Sequence, residues 1–177
     1  MQQIRSALSL FNGISGLHLA LDKAQINVEQ VYYSEIDKFA NKVTEQHYPN
    51  DIALGDVTKW KEWDIDWASI DLVGAGSPCT GFSMAGKQGA TKAIINGEVV
   101  LVKSKEEYIQ ARENGAEFLS QSYLFWEFIL ILEHVFKHNP NAKFILENVR
   151  MKKEYIDMIT EAVFMAMHNN NEWVRID

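Results

Sequence analysis

Short apolar runs, several ending in glycine or an acid and separated by helical patterns, leave this chain few folds. Ser6-Ala7-Leu8-Ser9-Leu10-Phe11 reads as a buried strand, Asn12-Gly13-Ile14-Ser15-Gly16 as a glycine-bearing turn, and 17–24 as an amphipathic helix. Val31-Tyr32-Tyr33-Ser34-Glu35, β-branched and aromatic, predicts a second strand closed by an acid. Helical spacing over 37–47 puts Phe39, Ala40 and Val43 on one side, and Pro49 stops the helix. A brief third strand within 50–56 leads into Gly55-Asp56. A piece rich in tryptophan (Trp60, Trp63, Trp67) then precedes Ile70-Asp71-Leu72-Val73-Gly74-Ala75-Gly76, a buried strand ending in small residues. Strand–helix alternation of this kind predicts an α/β fold built on a doubly wound, mostly parallel sheet.

Beyond Ser83 the pattern changes. Residues 86–115 are polar and charged and resemble a mobile active-site flap, with a hairpin around Asn96-Gly97. Its lysines, Lys87, Lys92, Lys103 and Lys105, could meet phosphate or form a solvated surface, and Glu98, Glu106, Glu107 and Glu113 offset them. The longest helical pattern covers 116–137, with Phe118, Leu119, Tyr123, Trp126, Ile129, Leu130 and Val135 spaced for burial. His134 and His138 share a helix face without a third ligand and read as surface histidines. A strand over 141–149, a helix over 151–167 and the start of a further strand at Trp173-Val174-Arg175-Ile176 complete the reading.

At 177 residues, 47% hydrophobic and 11% aromatic, the chain suits one globular domain, 1–177, with a substantial core. One cysteine excludes an internal disulfide and fits a reducing cytoplasm. The amino terminus lacks a signal-peptide pattern, and the apolar run 123–132 is too short to cross a bilayer. A formal net charge of −7 does not advertise nucleic-acid binding.

Cys79 follows the Gly-rich strand end through a Ser-Pro step, where backbone amides can stabilise a thiolate. A lone cysteine is otherwise a small buried hydrophobe. Glycines 13 and 16 let backbone approach a ligand at a helix amino terminus. Glu35 lies roughly 20 residues further on, the spacing at which an acid grips ribose hydroxyls. Phe11-x-Gly-x-x-Gly by itself also occurs as a plain turn. Glu35 and Asp56 at strand ends add weight to a nucleoside-type cofactor site, the alternative for each being helix capping or solvated charge. Glu147, closing Phe144-Ile145-Leu146, stands at the edge of an apolar interior and makes an acid–nucleophile pair with Cys79 plausible.

Four pieces in order, Phe11-Asn-Gly-Ile-Ser-Gly16, Gly55-Asp56-Val57, Ser77-Pro78-Cys79-x-Gly-Phe82-Ser83 and Glu147-Asn148-Val149, resemble the DNA (cytosine-5) methyltransferase family over about 8–163. Leu124-Phe125-Trp126-Glu127-Phe128 resembles the helix between the last two. The resemblance implies the Rossmann-like fold of methyltransferases that use S-adenosyl-L-methionine, and that cofactor as methyl donor. Phe11, Gly13 and Gly16 would line its site, Glu35 would take the ribose hydroxyls, and Asp56 with Val57 would hold the adenine. Pro78 would close the pocket beside the reacting base. The implied partner is duplex DNA, whose target cytosine is flipped out. Cys79 would attack C6, Glu147 would contact N3 and the exocyclic amine, and Asn148 would position the Cys79 loop.

Departures from the family pattern are also visible. Ser9 stands where an Asp is usual, the stretch 87–115 is long, and a Gln-x-Arg-x-Arg motif does not follow Glu147-Asn148-Val149. The expectation is therefore a fold incomplete at its carboxyl end, without a target-recognition domain and with a second polypeptide as a candidate for the missing half. A non-catalytic module docking a partner methyltransferase, or action on RNA, are the competing readings.

Overall fold

The computed structural model describes residues 3–78, 81–82 and 92–168. In chain order they form β1 (Ile4–Leu10), α1 (Gly16–Lys23), β2 (Val28–Ser34), α2 (Lys38–His47), β3 (Ile52–Ala53), β4 (Ile70–Gly76) and β5 (Lys92–Ile95). There follow β6 (Glu98–Leu101), α3 (Lys105–Glu113), β7 (Glu117–Phe118), α4 (Leu124–His138), β8 (Lys143–Glu147) and α5 (Lys153–His168). Two compact units result: Met1–Gly76 with His134–Glu147, and Ser77–Glu133 with Asn148–Asp177.

The first unit holds a five-stranded sheet in the order β3-β2-β1-β4-β8, with every pairing parallel. Strand β1 is buried from Ser6 to Leu10, as a central parallel strand covered on both faces must be. Ala7, Leu21, Val31 and Leu72 form a core cluster, flanked by Ile4, Leu17 and Val28. Each large aliphatic side chain buried here contributes about 1.5–3 kcal/mol. At the opposite end of the sheet from its carboxyl edge, Arg5 Nη2 meets Asp71 Oδ1 at 2.6 Å. Asn139 Nδ2 donates to the same oxygen at 3.0 Å and to the Ile70 carbonyl at 2.8 Å. The Arg5 hydrogen bonds hold the Asp71 carboxyl below the usual carboxylate range, against the opposing effect of burial.

In the second unit β6, β5 and β7 make a three-stranded antiparallel sheet. Asn96 (φ 52°) and Gly97 (φ 83°) are both left-handed, as the two-residue turn of a tight hairpin requires. Glu127 of α4 is fully buried, and its Oε1 accepts from the Tyr108 hydroxyl and from Arg112, both on α3. Phe82 packs edge-on against Phe125 and Tyr155, and the Gly81 N–H donates to Ser122 Oγ at 2.9 Å.

Several sequence expectations need correction. Within the expected polar flap, 105–113 is the helix α3, started by Ser104, whose Oγ accepts the Glu107 N–H, while Glu107 reaches back to the Lys103 N–H. Lys105, one of the lysines expected to meet phosphate or lie on a solvated surface, pairs with Glu133 at 2.5 Å. The helix expected from 116 starts at Leu124: Glu117–Phe118 pairs with β5 instead, and Phe118 stacks on Tyr123. The third strand shrinks to two residues, because Gly55 turns left-handed (φ 72°) and Asp56 caps a short 3-10 helix at Val57–Glu62. Asp37 is the cap of α2 and not part of it, and Phe39, grouped with Ala40 and Val43 on one side, is 65% exposed; Thr44 is the buried residue of that helix. His134 is no plain surface histidine: its ring lies 5.1 Å from Trp60 and 4.7 Å from Trp67, and burial lowers its pKa. Ile145 is 55% exposed and Glu147 is exposed, on a strand that is the edge of the sheet among the described residues. Trp173–Ile176 and the loop lysine Lys87 lie outside the described residues.

Candidate cofactor and active site

The order in which strands are laid down reverses between β1 and β4, and the carboxyl ends of strands at such a switch point are where α/β proteins bind ligands. A cavity of about 420 Å³ opens there. Its walls are the ends of β1 (Ser9, Leu10), β4 (Gly74, Ala75, Gly76) and β8 (Ile145, Glu147), the turn residues Phe11 and Asn12, and Gly16, Leu17 and Ala20 of α1. That volume falls in the range of small-molecule sites. The glycines matter sterically at one point above all: a Cβ on Gly74 would come within 2.6 Å of Leu17 Cδ2. On Gly76 a Cβ would stand 3.4 Å from Glu147 Oε2, so this carboxylate reaches the β4 end with which its own strand is paired.

The β1–α1 turn is held from β2. Glu35 Oε2 accepts the Gly13 N–H at 2.8 Å, and its Oε1 accepts the Ile36 and Asp37 N–H groups, each at 2.8 Å. Glu35 thus holds a chain reversal at the end of β2, half-buried beside the glycine turn, and Asp37 rather than Glu35 is the cap of α2. Asp56 Oδ1 accepts the Thr58 N–H and hydroxyl, each at 2.9 Å, and Val57 is buried in the core. The Ser34 hydroxyl donates to the Gly55 carbonyl at 2.7 Å, fixing the Gly55-Asp56 turn against β2.

Of the anticipated site residues, Phe11, Gly16 and Glu147 line the cavity, while Gly13, Glu35, Asp56 and Val57 stand in the loops at the same carboxyl edge. Pro78 and Asn148 belong to the second unit. Asn148 Oδ1 accepts the Val149 N–H; its buried Nδ2 and the buried Ser77 hydroxyl have no partner among the described residues. Cys79 lies outside the described residues; along the chain it follows Gly76 by three positions. Sequence reasoning missed Asn12, Leu17, Ala20 and Ile145. Leu17 and Ala20 carried a usable signal, since they lie one helical turn apart on the first face of α1.

A mostly parallel, Rossmann-like sheet with a ligand-sized cavity at its switch point defines the fold class. Within that class the assignment is specific: the family model for C-5 cytosine-specific DNA methylase matches residues 6–103, more than half of the chain, which belongs to this family. The type II methyltransferase M.NgoBV of Neisseria gonorrhoeae is 39% identical over 92 residues, 50% of this chain and 21% of that protein. The type II methyltransferase M.HhaI of Haemophilus parahaemolyticus is 38% identical over 117 residues, 64% of this chain and 34% of that protein. The chain thus spans only a fraction of the relatives it matches. Solved structures share the fold: a DNMT2 mutant from Spodoptera frugiperda has a TM-score of 0.52 at 19% identity, covering 94% of this chain and 41% of that one. The Entamoeba histolytica methyltransferase EhMeth has a TM-score of 0.55 at 11% identity, covering 96% and 45%.

Proposed function

We propose that this chain carries the S-adenosylmethionine site and the catalytic residues of a DNA (cytosine-5) methyltransferase working in the cytoplasm. The observation that carries the reading is the cavity at the β1, β4 and β8 ends, with the Glu35-anchored turn on one side and Glu147 on the other. The residues fit the cofactor: an apolar floor for the ring system, backbone of the Phe11–Gly16 turn for the polar end, and Glu35 and Asp56 as acceptors for hydroxyl and amine groups. When bound, S-adenosylmethionine supplies an electrophilic methyl group on a sulfonium.

The chain's own residues do the remaining work. Cys79, as thiolate, adds to C6 of a flipped cytosine, forming a carbon–sulfur bond and moving the electron pair of the C5–C6 double bond to C5. Glu147 holds N3 and the exocyclic amine, offsetting charge on the ring as the adduct forms. Asn148 orients the loop carrying the nucleophile, and Pro78 borders the base. After C5 is methylated, loss of its proton returns the pair to the ring and expels Cys79 as thiolate.

Duplex DNA is the proposed substrate, with sequence recognition supplied by residues beyond these 177, for which a second polypeptide is one source. A formal net charge of −7 and the greater length of the matched relatives support that division. They also support a second reading, a non-catalytic module of this fold that docks a partner methyltransferase. DNA containing 5-fluorocytosine separates the two: with S-adenosylmethionine present and the recognition region of a matched relative added as a second polypeptide, the catalytic reading expects a covalent adduct between DNA and this chain that Cys79→Ser abolishes. An adduct that survives the substitution removes Cys79 from its role. Failure to form any adduct by protein that binds S-adenosylhomocysteine supports the docking module.

A further inference from the structure

Within five residues the turn between β1 and α1 holds three left-handed backbones, at Phe11 (φ 56°), Gly13 (φ 54°) and Ser15 (φ 69°). Glycine adopts this conformation freely, whereas serine does so against a steric penalty that its surroundings must offset. Those surroundings are unusual. Ser15 Oγ lies 2.8 Å from Thr44 Oγ1, and Asn12 Nδ2 donates to both hydroxyls, at 3.1 Å and 3.0 Å. All three side chains are buried, Thr44 completely. Thr44 also points its hydroxyl proton at the Ala40 carbonyl, 3.4 Å away, which leaves the Ser15 hydroxyl to donate to Thr44. Each polar atom of the two hydroxyls is thereby used, and none of these bonds serves as an ordinary helix cap for α1.

The residues on either side of Ser15 line the cavity: Phe11 and Asn12 before it, Gly16 and Leu17 after it. We propose that Asn12, Ser15 and Thr44 form a buried clasp that holds Ser15 left-handed and so fixes the turn on which the cofactor rests. Thr44, on α2 and distant in sequence, is then a positioning residue for cofactor binding. The inference rests on the S-adenosylmethionine reading of the cavity. Its chemical content is a dependence: a serine at this position needs the clasp, and a glycine would not.

Calorimetry with S-adenosylhomocysteine on the full chain tests it, with thermal melting in parallel to establish folding. Thr44→Val, isosteric but without the hydroxyl, weakens binding about tenfold, while Thr44→Ser retains it. Ser15→Ala keeps the need for a left-handed backbone, removes the hydroxyl, and loses a similar factor. Ser15→Gly removes both and stays within about threefold of the unsubstituted protein. In the double variant Ser15→Gly/Thr44→Val the affinity returns to that of Ser15→Gly alone, a recovery that general loosening of the core does not produce. Equal affinities throughout, or additive losses in the double variant, overturn the clasp and leave the cofactor reading standing. Absence of binding by the unsubstituted protein overturns the cofactor reading itself, and the role of the clasp with it.

Discussion

Leu17 of α1 occupies the space that a side chain on Gly74 of β4 would need: a Cβ there would lie 2.6 Å from Leu17 Cδ2 and 2.9 Å from Cδ1. Gly74→Ala therefore drives Leu17 off its place on the core cluster and into the cavity it lines. Overpacking of this type costs about 1–3 kcal/mol. A drop in urea midpoint is expected together with weaker S-adenosylhomocysteine binding. Combining Gly74→Ala with Leu17→Ala restores the binding, since the second substitution removes the displaced atoms.

Asp71 gives a pH dependence of known sign. Its carboxyl is held below the ordinary aspartate value of about 3.9 by the Arg5 hydrogen bonds. The stabilisation is fully present above that ordinary value and disappears as pH falls through the lower value of the folded state. Urea midpoints measured from pH 6 down to pH 2 should decline less steeply for Asp71→Asn than for the unsubstituted protein. Parallel curves would remove Asp71 from the acid response.

On the alkaline side the reporter is Tyr108. Burial, followed by its bond to Glu127, raises the phenol well above its usual value. The folded protein then holds this proton where the unfolded chain releases it, so stability falls as pH rises beyond about 10. Tyr108→Phe flattens that fall, and in the native protein's ultraviolet titration fewer tyrosines ionise than after denaturation, the shortfall shrinking by one in Tyr108→Phe.

Glu127 itself is a buried carboxylate shared by Tyr108 and Arg112. Removing it as Glu127→Ala leaves the buried Tyr108 hydroxyl without this acceptor, an effect on the order of 1–3 kcal/mol, and a cavity besides, while Arg112, 46% exposed, keeps access to solvent. Loss of cooperative unfolding, or a fall in melting temperature much larger than for Tyr108→Phe, is the expected result.

Trp63 offers the opposite sign. Its indole N–H is buried without a partner among the described residues, while the ring stacks on Trp67 at 6.1 Å. Trp63→Phe keeps an aromatic face and deletes the unsatisfied donor, whose burial costs about 1–3 kcal/mol. Melting should move little, or upward.

How much of this was readable beforehand depended on how local the cause was. Ile70–Gly76 announces itself as a strand because apolar residues run unbroken into small ones, and its bounds in the fold are those of the sequence run. The hairpin was legible through Asn96-Gly97, whose backbone preferences act over four residues. Helix α3 was hidden because few of its residues are buried, so periodicity had little to register; the Ser104/Glu107 pairing was its one usable signal. Phe118 misled in the other direction, continuing a helical stripe although its backbone pairs with β5. In the site, the glycine turn and the strand-end acids could be seen from spacing. The hydroxyl contact between Ser15 and Thr44 could not, because only the docking of α2 brings those positions together.

Strand β8 lies beside β4 in the sheet, yet the chain between them must first build a hairpin and two helices. Closing so long a loop is entropically slow, and parallel pairing rewards it only once register is reached. The wall supplied by Ile145 and Glu147 is consequently the part of the cavity that depends on the contact most distant along the chain. A ribosome-bound or proteolytically shortened chain ending before Lys143 would own the glycine turn and its Glu35 anchor, and still present an open trough where the mature protein has a pocket.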